Sequence, residues 1–299
     1  MNTPRHQQTL APVLLTFFAA ILWGIWWIPI RYVEALGLSG GQVVLSSNLG
    51  AVLAVAGYIL LTGRSVRLGR RALSGALLVG VAVSTYSIAL VLTDVMRAIL
   101  LFYLAPAWSK IIEWAFLGHR WKHSATLTLA LSLTGAFLVL GGEVSLTQIG
   151  LGDALAIASG VAWAFGAALI FTDPDSNTPA ITLTTMCAAV AVAGLYMVFA
   201  GERLPAPDTM SIVALSLALG AVYIVPVMAL TLWSAQRLSP ALLSFLFTLE
   251  ILSGVVSGAL LLDEVFGWVQ GIGAAMIVSA ALTEVVIALR ARARAAAGT

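Results

Sequence analysis

The chain alternates long apolar runs with short polar connections. Ten such runs cover residues 11–33, 40–62, 72–93, 96–117, 124–141, 150–171, 178–200, 209–234, 240–262 and 268–289. A helix that rises 1.5 Å per residue needs about 20 apolar residues to cross a hydrocarbon core roughly 30 Å thick. The runs have that length, and none shows the ten-residue alternation of a membrane β-strand. The pattern predicts an all-α integral membrane protein with ten transmembrane helices. No connection is rich enough in Pro or Ser to hold a separate soluble domain. The first run, about 23 residues long and without an A-x-A-like site, is expected to stay as a helix and not to be cleaved as a signal.

The second half repeats the first. Ala20-Ile-Leu-Trp23-Gly24 recurs 140 positions later as Gly160-Val-Ala-Trp163-Ala164. The stretch from Ala98 to Pro106, running on to Leu117-Gly118-His119, recurs 145 positions later from Leu243 to Ile251, running on to Leu262-Asp263-Glu264. Each half holds five runs, and an odd number of crossings turns one half upside down relative to the other. The expected organisation is two inverted five-helix repeats, residues 1–145 and 146–299, forming one membrane domain around a central cavity. Inverted repeats of this kind build secondary transporters, whose sites lie near the bilayer midplane between the halves.

Composition removes the alternatives. Only 9% of the 299 residues are charged and 61% are apolar, with a mean hydropathy of +1.02. A soluble domain carries about 25% charged residues. Cys187 is the sole cysteine, so an intrachain disulfide and a cysteine metal cluster are both excluded. The net charge of +2 says little, but its distribution is informative. With the N-terminus inside, eleven basic residues fall on inner segments: Arg5, Arg64, Arg67, Arg70, Arg71, Arg120, Lys122, Arg237, Arg290, Arg292 and Arg294. Arg31, Arg97 and Arg203 fall outside. This bias places both termini in the cytoplasm of a cell whose inner membrane holds the protein. The repeat-equivalent loops also differ in sign: residues 118–123 are basic, whereas residues 263–268 begin with Asp263-Glu264.

Ionisable groups inside a bilayer are costly and usually face an interior or a wet cavity. Lys110 and Glu113 in the fourth run and Glu250 in the ninth stand out. Lys110 and Glu113 are three apart and can pair on one helix face. Because the fourth and ninth runs are equivalent, Glu250 is expected within reach of both, as a substrate site or as a structural charge network. Tyr103, Ala107, Lys110 and Trp114 form one stripe. Pro106 and Pro226 are expected to kink their helices and free a carbonyl. Among the aromatics, Tyr86, Tyr103 and Trp163 are candidates for stacking on a substrate or facing its ammonium, while Trp26 and Trp27 read as an interfacial belt. Glu284 also reads as interfacial. Asn48 with Ser46 and Ser47, and Ser253 with Ser257, read as wetted walls. Gly50, Gly160 and Gly254 open small-xxx-small spacings suited to close helix packing.

The chain has no Walker loop, no metal-ligand spacing within a run, no nucleophile elbow and no basic tract for nucleic acid. It is therefore expected to be neither an enzyme nor a nucleic-acid binder, and to need no cofactor and no metal.

Ten spans in two halves, the Trp23-Gly24 and Trp163-Ala164 signatures, and Asp263-Glu264 followed by Gly271-Ile-Gly273-Ala-Ala resemble the EamA branch of the drug/metabolite transporter superfamily. Ser84-Thr-Tyr86-Ser-Ile-Ala-Leu, Tyr103-Leu-Ala-Pro106 and Gly141-Gly142-Glu143 resemble the aromatic amino acid exporters within it. The resemblance implies a basket of ten helices that exports amino acids by alternating access, with Tyr86, Tyr103 and Trp163 lining the cavity. Glu250 with Lys110 and Glu113 would answer the substrate's ammonium and carboxylate. The expected partners are an amino acid and the lipid bilayer, with the protein a monomer or weak dimer. A cationic drug of the viologen type, exported in exchange for protons, is the alternative substrate; a membrane enzyme or receptor is a third reading.

Overall fold

The structure, a computed structural model, describes residues 10–93, 95–118, 120–121, 123–139, 150–173, 175–261 and 267–296; the side chains of 10, 95–97, 100, 255, 258–259 and 291–296 are not described. Arg5, His119, Lys122, Gly141-Gly142-Glu143 and Asp263-Glu264 therefore lie outside the described residues, and the contrast between the two loops goes with them.

Helices α1 (Leu10–Gly24) and α2 (Trp27–Ala35) form the first segment, followed by α3 (Gly40–Thr62) and α4 (Arg70–Leu92). The fourth segment is divided into α5 (Val95–Phe102) and α6 (Ala105–Phe116), and α7 (His123–Val139) ends the first half. The second half contains α8 (Leu151–Phe171), α9 (Thr178–Ala200), α10 (Met210–Leu219) and α11 (Val225–Ala235). A π-helical turn, Gly220–Ile224, joins α10 to α11. The ninth segment is divided into α12 (Pro240–Phe247) and α13 (Leu249–Leu261), and α14 (Trp268–Ala296) is the last. No strand occurs among the described residues.

Among the described residues, seven helical segments are long and apolar enough to cross a membrane. The expected ten transmembrane helices are thus not all reached by single long helices among the described residues. α7 has 17 residues, and segments four and nine each break in the middle. The fourth break has a local cause. Pro106 has no N–H, and its ring collides with the carbonyl of Phe102, four residues back. The ladder tightens there, with Leu104 N donating to Leu101 O at 3.4 Å and Ala107 N to Leu104 O at 3.0 Å.

The ninth segment breaks at Thr248, 145 positions after Tyr103, although Ile251 stands where Pro106 does in the first half. Hydroxyls take the place of proline here. Thr248 Oγ1 donates to Phe245 O at 2.6 Å, and Tyr103 Oη donates to Phe247 O at 2.7 Å. Carbonyls released from a helix at membrane depth need such partners, so breaks of this kind occur where protein surrounds them. Every residue of α12 is buried.

The packing is nearly unchanged when the halves are exchanged. α1 on α13 corresponds to α8 on α6, α1 on α11 to α8 on α4, and α3 on α10 and the π turn to α9 on α4. α3 packs on α9, α7 on α14 and α6 on α12, each joining equivalent segments. Hydrogen bonds sort the connections to two ends. Asn177 N donates to Arg67 O at 3.0 Å, Gly69 N to Ser176 Oγ at 2.8 Å and Gln236 Nε2 to Ser176 O at 2.6 Å. At the other end of α3, about 34 Å away over its 23 residues, Ser39 Oγ meets Glu202 and Gln42 Nε2 donates to Arg203 O. Equivalent connections therefore fall at opposite ends.

Glycine makes the closest crossings. A Cβ on Gly75 would stand 2.7 Å from the carbonyl oxygen of Gly166, and one on Gly166 would stand 2.8 Å from that of Gly75. Gly135 and Gly273 repeat the arrangement between α7 and α14 at 2.7 and 2.6 Å. Backbones meet directly at these points, as small residues allow in membrane bundles.

Candidate functional site

A cavity of about 40 Å³ lies beside the two breaks, lined by Trp23, Ala82, Val83, Tyr86, Phe102, Trp163, Met228, Phe247 and Glu250. Its wall reflects the repeat. Trp23 and Trp163 are equivalent at 140 positions, and Phe102 and Phe247 at 145. Each phenylalanine is the last residue before its break, and each ring packs on an aromatic of its own half. Tyr86 lies against Phe102 with ring centroids 4.6 Å apart, and Trp163 meets Phe247 edge-on at 5.6 Å. Trp23 is held by its Nε1 donating to Thr231 Oγ1 at 3.0 Å.

Glu250 gives the cavity its polarity. It lies in the first turn of α13, where the positive end of the helix dipole favours a carboxylate, and it is 6% exposed. Tyr86 Oη donates to its Oε1 at 3.4 Å. Gly24 of α1 packs so closely on the Glu250 carbonyl and Ser253 that a side chain there would displace the backbone. Among the described residues lining the cavity there is no Lys, Arg or His.

Of the six residues singled out from the sequence, Tyr86, Trp163 and Glu250 line this cavity. Tyr103 lies one layer behind. It packs edge-on against Phe102 at 5.4 Å, and its hydroxyl donates to Phe247 O while also lying beside the Glu250 carboxylate. Lys110 and Glu113 face a different cavity of about 480 Å³, together with Arg120, Ser239 and Glu284. Lys110 Nζ is 3.1 Å from Glu284 Oε2, Thr128 Oγ1 donates to Glu284 Oε1 at 2.7 Å, and Glu113 Oε1 accepts from Ala241 N at 2.8 Å.

The structure thus does not bring Lys110 and Glu113 together with Glu250. The repeat itself separates them: Glu250 is equivalent to Ala105, at the start of α6, and Lys110 lies five residues further on, about 8 Å along that helix. α6 and α13 lead away from the paired breaks, so their later residues diverge.

Three further expectations change. Glu284 is 5% exposed and pairs with Lys110 inside the bundle. Trp26 is buried and stacks on Tyr223 at 5.2 Å, while Trp27 Nε1 donates to Ser257 Oγ at 3.1 Å; both tie the first segment inward instead of forming a belt. Ser46 donates to Ser216 Oγ at 2.7 Å and so serves the contact of α3 with α10, while Asn48 Nδ2 donates to Val44 O within α3 at 2.9 Å. Phe102, Phe247 and Met228 escaped the sequence reading. The repeat carried the signal for the two phenylalanines, which occupy equivalent positions.

The sequence profile of the EamA-like transporter family matches residues 10–141 and, separately, 150–284. No curated protein matches the chain. A crystal structure described only as that of a "protein" superposes with a TM-score of 0.74 at 18% identity, over 94% of this chain and 98% of its own. That likeness is one of fold.

Proposed function

The chain belongs to the EamA-like transporter family, a family of membrane transporters and not of enzymes, and from that premise we propose that it exports amino acids, aromatic and other neutral ones first, by alternating access. The observation that carries the reading is the aromatic cavity with Glu250 in its wall. Two tryptophans, two phenylalanines and Tyr86 suit an apolar or aromatic side chain. Glu250 answers an ammonium. The substrate carboxylate is assigned to the start of α6 or α13, where the end of the helix dipole is positive. Lys110 and Glu113 act from the second cavity, outside the contacts that Glu250 makes, and Tyr103 supports Phe247 from behind.

A site for a small organic molecule takes about 300 Å³ or more, whereas 40 Å³ suits one or two waters. Substrate enters in this reading only when the aromatic walls part at the paired breaks. The proposed topology is ten crossings in two inverted repeats, residues 1–145 and 146–299, in the inner membrane with both termini cytoplasmic. The division of connections between two ends and the excess of basic residues on one side support it.

One observation favours a second reading, export of cationic aromatic compounds in exchange for protons: the described cavity lining holds a carboxylate and no cation. A single assay separates the two. Proteoliposomes loaded with labelled Phe, Trp, Met or Thr are compared with empty vesicles, with and without a pH gradient and with methyl viologen as competitor. Absence of flux for every amino acid sinks the first reading. Strong competition by the dication, abolished in Glu250→Gln, favours the second.

A further inference from the structure

A polar cavity of about 400 Å³ opens among the ends of α3 and α11 and the start of α9, with Arg64, Ser176, Thr178, Gln236 and Arg237 in its wall. A second cavity, of about 610 Å³ and mostly apolar, shares Thr178, Pro179 and Trp233 with it. The second one runs along α11 between Val225 and Trp233, a length of about 12 Å, with Leu15, Val55 and Tyr58 on its other side. Tyr58 and Pro226 are exposed on the surface of the bundle. A basic chamber thus continues directly into an apolar groove that opens sideways.

The join is built from two contacts of the same kind. The guanidinium of Arg64 lies 5.7 Å from the ring centroid of Tyr58, and that of Arg237 lies 4.0 Å from the ring of Trp233. Both rings also line the groove. Each arginine therefore sits at the point where polar lining gives way to apolar lining. Arg237 is further fixed by its Nη1 donating to Trp233 O at 2.8 Å, and partial burial lowers its guanidinium from the usual arginine value. Asp173 accepts from Ala72 N at 3.2 Å and from Ser176 Oγ at 3.1 Å. No carboxylate lines the polar cavity among the described residues.

We propose that this pair of cavities binds an anionic phospholipid, its phosphate between Arg64 and Arg237 and one acyl chain in the groove along α11. A zwitterionic lipid fits the groove equally but leaves its extra positive charge against two guanidiniums. A soluble anion fits the basic chamber but leaves the groove unused. Clefts of this kind between membrane helices, basic at the headgroup level, hold anionic lipids selectively. The site is separate from the cavity at Glu250, and it does not rest on the transport reading.

Native mass spectrometry of the delipidated full-length protein tests it, with titrations of phosphatidylglycerol, phosphatidylcholine and glycerol phosphate. Phosphatidylglycerol is expected to bind more tightly than phosphatidylcholine. Each arginine is worth about fivefold, so Arg64→Gln with Arg237→Gln lowers phosphatidylglycerol affinity about thirtyfold. Arg64→Lys with Arg237→Lys keeps most of the preference. Arg64→Gln alone alters an exposed residue and keeps the test open if the double variant does not fold. Equal binding of the two lipids by the wild type overturns the proposal, as does an unchanged preference in the Gln variants. Glycerol phosphate binding as tightly as the whole lipid overturns it in favour of a soluble anion. The readout is binding and not flux, so failure here leaves the transport assay unaffected.

Discussion

The hydroxyl of Tyr103 donates to the main-chain carbonyl of Phe247 at 2.7 Å. Tyr103 marks the break of segment four, and Phe247 is the last residue before the break of segment nine. One half thereby satisfies a carbonyl that the other half releases, and the two breaks hold each other in place. The same contact positions the Phe247 ring against Trp163, so the wall of the cavity depends on it.

Tyr103→Phe keeps the ring and removes the donor. Phe247 O is then left buried without that partner, at a cost of about 1 to 2 kcal/mol. The expected outcome is a lowered melting midpoint in detergent together with reduced flux. An unchanged midpoint would show that the bond contributes nothing to holding the breaks.

Glu250→Gln keeps the shape and removes the charge. Folded yield is expected to hold, because Tyr86 Oη can still donate to the amide oxygen. Flux of an ammonium-bearing substrate should fall at least about tenfold, since a hydrogen bond to a charged group is worth about 1.5 to 3 kcal/mol. Tyr86→Phe should weaken transport less. Equal losses for the two variants would argue against Glu250 as the ammonium partner.

Lys110 and Glu284 predict a different signature. Lys110→Met leaves Glu284 buried with Thr128 as its remaining described partner, and breaking a buried pair costs about 3 to 5 kcal/mol. Replacing both, Lys110→Met with Glu284→Met, should recover much of that stability, because no uncompensated charge remains. Melting of the two variants beside the wild type checks it. A stable Lys110→Met protein with a raised KM would instead make Lys110 a substrate contact.

Trp163→Ala removes one of the two equivalent tryptophans and the edge contact to Phe247. Flux of Trp and Phe should fall more than flux of Thr, with folded protein retained. Uniform flux across the panel would remove Trp163 from the site.

Gly166→Val places a branched side chain where a Cβ alone would stand 2.8 Å from the Gly75 carbonyl oxygen. Overpacking of this kind costs about 1 to 3 kcal/mol. Reduced folded yield and a lower melting midpoint are expected, and α4 and α8 would have to separate to avoid it.

The membrane class, the helical segments and the two-part repeat were legible because each is written as a one-dimensional pattern: apolar runs matched to bilayer thickness, and like residues at fixed offsets. Pro106 announced its own break because proline acts on the turn that precedes it. Trp163, Tyr86 and Glu250 were legible as candidates because a polar or aromatic group at membrane depth calls for a reason.

What the linear pattern does not contain is which side chain answers which across the bundle. The break at Thr248 has no proline, and its released carbonyls are answered by the hydroxyls of Thr248 itself and of Tyr103 from another segment. Glu284 looked interfacial from its place near the end of the last run, and Lys110 looked like a partner for Glu250; each is settled by which helix packs opposite. By itself the sequence determined that this is a two-repeat helical membrane protein with costly charges on segments four and nine. Only the tertiary structure decided that those charges occupy separate cavities, because hydrogen bonds and ion pairs act over a few ångströms between residues more than a hundred positions apart.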